Sequence, residues 1–151
     1  MNVMAADGSR TDSVVTLEGL RGEVVLLDFF ATWCVPCVEK YPELRDGAAV
    51  LERDGVRVHG VTHHEAPQIT ASWLAEHHGG LAFPFLVDRG GYVAERLRVW
   101  GIPHVLLIGP DGELLARCAR CTTDLSHMTV PELLELVRGA RGDSSRAGSR
   151  R

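Results

Sequence analysis

Asp28–Cys37 reads DFFATWCVPC, an apolar run that ends in a tryptophan and two cysteines three residues apart with a proline between them. The longer stretch EVVLLDFFA, residues 23–31, is nearly continuous in apolar residues, as expected of a strand covered on both faces. Helical signals follow from Pro36 through CVEKYPELRDGAAVLERDG, with Gly55 as a stop and Pro42 as a kink. Cys34 therefore falls at the start of a helix, where the first amides lack intrahelical partners and the dipole favours negative charge. A thiolate there is stabilised, which makes Cys34 the attacking sulfur. Cys37 lies one turn on, within reach of a disulfide, and is expected to be the more covered, resolving sulfur. Pro36 suits the first helical positions because its missing N–H loses nothing there.

Outward from this segment the elements alternate. VRVHGVTH, residues 56–63, is β-branched and alternating, and reads as a strand. PQITASWLAEHHG, residues 67–79, reads as a helix with Ile69, Trp73 and Leu74 at helical spacing, ended by Gly79 and Gly80. A short strand in FPFLVD and a turn or helix through YVAERLRVWG follow. HVLLIGPDGELLARC is two apolar runs around a Pro-Asp-Gly-Glu turn, the pattern of a β-hairpin. VPELLELVRGAR closes the series as a helix with Leu133, Leu134 and Val137 on one stripe. This order predicts an α/β domain over residues 13–138, a mixed sheet with helices on both faces and an insertion between a βαβ and a ββα half. Residues 1–12 and the basic tail 139–151 carry no apolar period and are expected to be disordered.

Composition narrows the function. An apolar share of 45% and a net charge of −4 describe an ordinary globular chain with no electrostatic footprint for nucleic acid or an anionic membrane. No apolar run is long enough to span a bilayer, and MNVMAADGSRTDS lacks the apolar core of a signal peptide. A cytoplasmic setting is expected, or an extracytoplasmic one if a leader precedes this chain. Two cysteine pairs at C-x-x-C spacing point to redox or metal chemistry rather than to a disulfide framework.

GEVVLLDFFATWCVPC, FPFLVD and WGIPHVLLIGPDGEL, in this order, resemble the TlpA/ResA-type thioredoxin-like oxidoreductases over roughly residues 14–138. The resemblance implies a thioredoxin fold and a set of roles. Cys34 and Cys37 match the nucleophilic and resolving cysteines, Trp33 the aromatic flanking the nucleophile, and Pro42 the proline that kinks the active-site helix. Asp28 matches a buried acid that assists proton movement at the resolving thiol. Ile102 and Pro103 match the residue and cis-proline that hold substrate backbone, as an added strand. Three positions depart from the pattern. Lys40 stands where these relatives commonly carry an acid, and a cation near the sulfurs would favour thiolate. Phe30 replaces a tryptophan common in thioredoxins. His104 stands where thioredoxins often have threonine, and is read as a neutral rim histidine or as a group that titrates the site near neutral pH.

The pairs His63/His64 and His77/His78 are read as solvated surface, because adjacent residues do not share a face, and no metal is assigned. Cys118 and Cys121 lie outside the family pattern. In extended strand their Cα atoms would be about 10 Å apart, too far for a disulfide. Three readings stay open: a second redox couple, two separately packed or free thiols, or a four-cysteine metal site with Cys34 and Cys37.

These residues lead to a thiol:disulfide oxidoreductase without a bound cofactor, acting on disulfide-containing proteins or peptides and exchanging electrons with another dithiol. Two alternatives use the same fold: a peptide-binding module whose cysteines do not turn over, and a thiol peroxidase. The second needs a threonine or serine three residues before the nucleophile, where this chain has Ala31.

Overall fold

The computed structural model describes residues 1–119 and 130–147. One seven-stranded sheet organises them, in the order β2 (Arg10–Val14), β1 (Asn2–Met4), β5 (Phe85–Val87), β4 (Val56–Thr62), β3 (Val24–Phe30), β6 (His104–Ile108), β7 (Leu114–Ala119). Its centre is β3 (Val24–Phe30), parallel to β4 (Val56–Thr62) and antiparallel to β6 (His104–Ile108). Six of the seven β3 residues are buried, which accounts for a run that is apolar except at Asp28. The helix α1 (Val35–Arg53) makes the crossover from β3 to β4, and α2 (Pro67–His78) the crossover from β4 to β5 (Phe85–Val87). After the short α3 (Tyr92–Arg96), β6 and β7 (Leu114–Ala119) form the expected hairpin, and α4 (Val130–Ala147) packs back on the sheet.

Two cores result. One lies under α1, α2 and α4 and holds Leu26, Phe30, Cys34, Cys37, Tyr41, Leu74, Phe85 and Val137. The other, on the opposite face, joins Val25, Leu27, Phe29, Leu86, Ala94 and Leu106. Odd and even residues of β3 thus point to different cores, and burying each large side chain contributes about 1.5–3 kcal/mol.

The ends differ from the compositional expectation. Residues expected to be disordered form β1 (Asn2–Met4) and β2 (Arg10–Val14), antiparallel to each other, with β1 paired to β5. Backbone pairing holds this hairpin, helped by Asn2 donating to the Thr11 carbonyl and Thr11 to that of Val3, and Met4 and Val3 pack on the two cores. Its turn runs through Asp7 and Gly8, and Gly8 has φ +80°. A Cβ there would collide with the Gln68 backbone at the start of α2, so only glycine fits. At the other end α4 continues past residue 138 to Ala147. Within α2, Ile69 is 54% exposed, and Thr70, Ala71 and Leu74 supply the buried face instead.

Candidate active site

Cys34 is the N-cap of α1, with extended backbone (φ −87°, ψ 93°), and Pro36 sits in the first turn. Cys34 and Cys37 are joined by a disulfide, their Cα atoms 5.2 Å apart. The Cys37 amide donates to Cys34 Sγ at 3.3 Å. This is one of the orphan amides of the helix start, aimed at the sulfur that must carry negative charge. Cys37 is not the more covered of the two, since each is 5% exposed. What separates them is the cap position, which gives Cys34 Sγ an amide donor. Trp33 and Val35 flank Cys34 and are both exposed.

A residue that carries no signal in the sequence fixes the loop ahead of Cys34. Glu65, between β4 and α2, accepts from the Thr32 amide at 3.1 Å, from the Thr32 hydroxyl at 2.5 Å and from the Thr70 hydroxyl at 2.6 Å. The Cys34 amide in turn donates to the Ala31 carbonyl at 3.1 Å, and the His63 amide to that of Phe30 at 2.9 Å. The turn carrying the nucleophile is therefore tied to the next crossover by charge-assisted bonds.

Asp28 lies on β3 opposite Gly60 of β4 and Val105 of β6. The period of the strand puts it on the same face as Leu26 and Phe30, beneath α1. Gly60 has no side chain and the Phe85 ring covers it, so Asp28 has apolar neighbours on either side. Burial pushes its carboxyl up to about 7. An acid in this place can bind and release a proton near neutral pH.

The Ile102–Pro103 peptide bond is cis. Ile102 packs against both cores, and Pro103 is buried just ahead of β6, whose His104 pairs with Phe29. The prolyl turn thereby stands at the end of the sheet where β3 runs into the Cys34 loop. His104 is 3% exposed rather than on the rim. Its Nε2 is 3.0 Å from Arg117 Nη1, and because a guanidinium only donates, Nε2 is the acceptor and the ring is neutral. Burial first, then the Arg117 charge, lowers its pKa. His63 is also buried, 6.2 Å from the Phe29 ring, whereas His64 is exposed. His77 is exposed and stacks on Trp73, and His78 is half-buried against Tyr41.

Lys40 is half-buried on α1, three residues beyond Cys37. Cys118 lies on β7 opposite Val105, packs against the core that holds Cys34 and Cys37, and is disulfide-bonded, so it is not a free thiol. Cys121 lies outside the described residues. Among the described residues no helix is long and apolar enough to cross a membrane.

Known proteins are similar to this chain in sequence and in fold. The chain is 27% identical over 124 residues to the thiol-disulfide oxidoreductase ResA of Halalkalibacterium halodurans, covering 82% of this chain and 68% of that one. To the ResA of Geobacillus kaustophilus it is 33% identical over 98 residues, 65% of this chain and 55% of the relative. The chain thus spans between about half and two thirds of the length of these curated relatives. The crystal structure of StoA from Bacillus subtilis has the same fold, with a TM-score of 0.61 at 22% identity over 77% of this chain and 83% of that one. The model of the AhpC/TSA family matches residues 3–117, and the chain, thioredoxin-like in fold, belongs to that family.

Proposed function

We propose that this protein is a thiol:disulfide oxidoreductase that reduces disulfides in proteins or peptides through Cys34 and Cys37. The observation that carries the reading is the Cys37 amide held on Cys34 Sγ at the start of α1. In the reduced enzyme the Cys34 thiolate attacks one sulfur of a substrate disulfide. That bond breaks, a mixed disulfide forms, and the first substrate thiol leaves with a proton from solvent. Cys37, its proton passed to Asp28, then attacks Cys34 Sγ and expels the second substrate thiol. Two electrons have moved to the substrate, and the Cys34–Cys37 disulfide is the oxidised product. A separate dithiol protein returns the electrons. Trp33, Ile102 and cis-Pro103 hold the substrate chain across the groove beside the sulfurs. Pro36, Lys40 and His104 tune the couple, and Cys118, which packs on the core that holds Cys34 and Cys37, forms a second redox pair with Cys121. No bound cofactor is required.

The decisive experiment uses Cys37→Ala with a disulfide-containing substrate such as insulin. This variant is expected to accumulate a mixed disulfide through Cys34, which Cys34→Ser does not form, while the wild-type chain turns insulin over. Peptide binding retained without any insulin reduction would establish a binding module instead. Rapid consumption of hydroperoxide would establish the peroxidase, a reading opposed by Ala31 and by the commitment of the Thr32 hydroxyl to Glu65.

A further inference from the structure

On the sheet face opposite α1, a groove of about 600 Å³ is lined by four arginines, Arg21, Arg96, Arg98 and Arg117, and by a single acid, Glu18. Its floor is apolar: Leu106 is fully buried and Ile108 9% exposed, with Leu17, Leu97 and Leu114 along the walls. The size falls within the range of small-ligand sites, and an apolar floor with a few convergent polar groups is their usual composition. A cluster of cations is out of keeping with a chain whose net charge is −4.

The arginines are not equally committed. Arg117 donates to the carbonyls of Leu97 at 2.7 Å and Arg98 at 3.2 Å, and to His104 Nε2, which makes it the fixed inner wall. Arg21 donates to the Asp111 carbonyl at 2.7 Å. Among the described residues Arg96 and Arg98 have no ion-pair or side-chain hydrogen-bond partner, and both are exposed. Arg98 also occupies a place that favours glycine. It follows α3 with φ +57°, its amide donates to the Glu95 carbonyl at 2.9 Å, and the Val99 amide donates to that of Ala94 at 2.8 Å, closing the helix end. Arg98 thus lines the groove from a left-handed position that glycine would fill with less strain.

We propose that this groove is a binding site for a small organic anion, a phosphate or carboxylate head on an apolar body. The head pairs with Arg96 and Arg98, whose planar forks match either group, and the body lies on Ile108 and against the Leu17, Leu97 and Leu114 walls. Because Arg117 lines the groove and also holds His104, the residue after cis-Pro103, an occupant lies one hydrogen-bonded side chain away from the substrate-holding turn.

Calorimetric titration of the oxidised protein with octyl phosphate, below its micellar concentration, tests the site. Saturable one-to-one binding is expected, weakened by added salt and about tenfold or more weaker in both Arg98→Gly and Arg96→Gln. Glycine suits the left-handed backbone, so Arg98→Gly should unfold no more readily than wild type, which separates loss of the guanidinium from loss of the fold. Inorganic phosphate should bind much more weakly, because it does not use the floor. Absence of saturable binding, affinity unchanged in both variants, or inorganic phosphate binding as tightly as octyl phosphate would each overturn the proposal. Binding of an acidic peptide in place of octyl phosphate would overturn it in favour of a protein partner.

Discussion

The Thr32 hydroxyl donates to the Glu65 carboxylate at 2.5 Å, across 33 residues of sequence, and so fastens the loop that presents Cys34 to the start of α2. Glu65 accepts from two hydroxyls and one amide, and glutamine would set an NH2 against donors where the carboxylate had an oxygen. Glu65→Gln is therefore expected to lose about 1–3 kcal/mol of stability in urea unfolding. It should also slow insulin reduction through misplacement of the Cys34 turn. Thr32→Val keeps the amide bond and should cost less, on the order of 1 kcal/mol. Equal stability of wild type and Glu65→Gln would show that the clamp does not hold the loop.

Asp28 gives the protein a pH dependence whose sign follows from its raised pKa. Between the ordinary value of 3.8 and about 7 the folded state keeps the proton that the unfolded state has released. Stability from this group is thus full below pH 4 and is lost as pH rises toward 7, by at most about 4 kcal/mol since part of the side chain meets solvent. Asp28→Asn should flatten that slope and be the more stable protein above pH 7, measured by urea unfolding from pH 4 to 8. Its insulin reduction should fall and lose the pH dependence near 7, if Asp28 takes the proton of Cys37.

His59 adds the opposite slope. It is 8% exposed, and among the described residues neither ring nitrogen has a hydrogen-bond partner of normal geometry. Burial and then the Arg57 charge lower its pKa, so below about pH 6.5 the unfolded state gains a proton that the folded ring refuses. Stability present above that pH is lost as pH falls. His59→Leu removes both the buried polar cost and the titration, and is expected to stabilise the protein by about 1 kcal/mol at pH 7, more at pH 5.5. A destabilised variant with an unchanged acid limb would mean that His59 has a partner that the leucine removes.

The legible parts of the sequence are those where one local signal suffices. A nearly continuous apolar run of seven residues marks the covered strand at Val24–Phe30, and Cys-Val-Pro-Cys after it marks the cap of the next helix. The Pro-Asp-Gly turn specified the β6–β7 hairpin, and the resemblance supplied the cis bond before Pro103. What stayed hidden is held by partners distant in sequence. The hairpin of residues 2–14 is stabilised by pairing with β5, more than 70 residues away, and β2 is largely exposed, so no apolar period marks it. Glu65 and Arg117 look like ordinary surface charges until the fold brings Thr32 and His104 to them. Ile69 misled for the converse reason, since an isolated apolar residue at helical spacing need not face the core.

Cys118 faces the same core as the active-site pair, opposite Val105, which is opposite Asp28. With strands about 4.8 Å apart, Cys118 lies only about 10 Å across the sheet from Asp28. A disulfide at Cys118 that exchanges electrons should show itself in the stoichiometry of reduction. Titration in defined dithiol buffers, with alkylation and mass counting of thiols, is expected to show two separate two-electron steps. The step from Cys34 and Cys37 should survive in Cys118→Ser, while the other disappears. A single two-electron step with Cys118 unlabelled throughout would make its disulfide a structural brace. Thiol labelling of Cys118 in the fully oxidised protein would mean that it is not bonded at all. The same variant separates relay from bystander: if the second pair passes electrons to Cys34 and Cys37, Cys118→Ser slows re-reduction of the active site by an external dithiol, but not the attack of pre-reduced Cys34 on insulin.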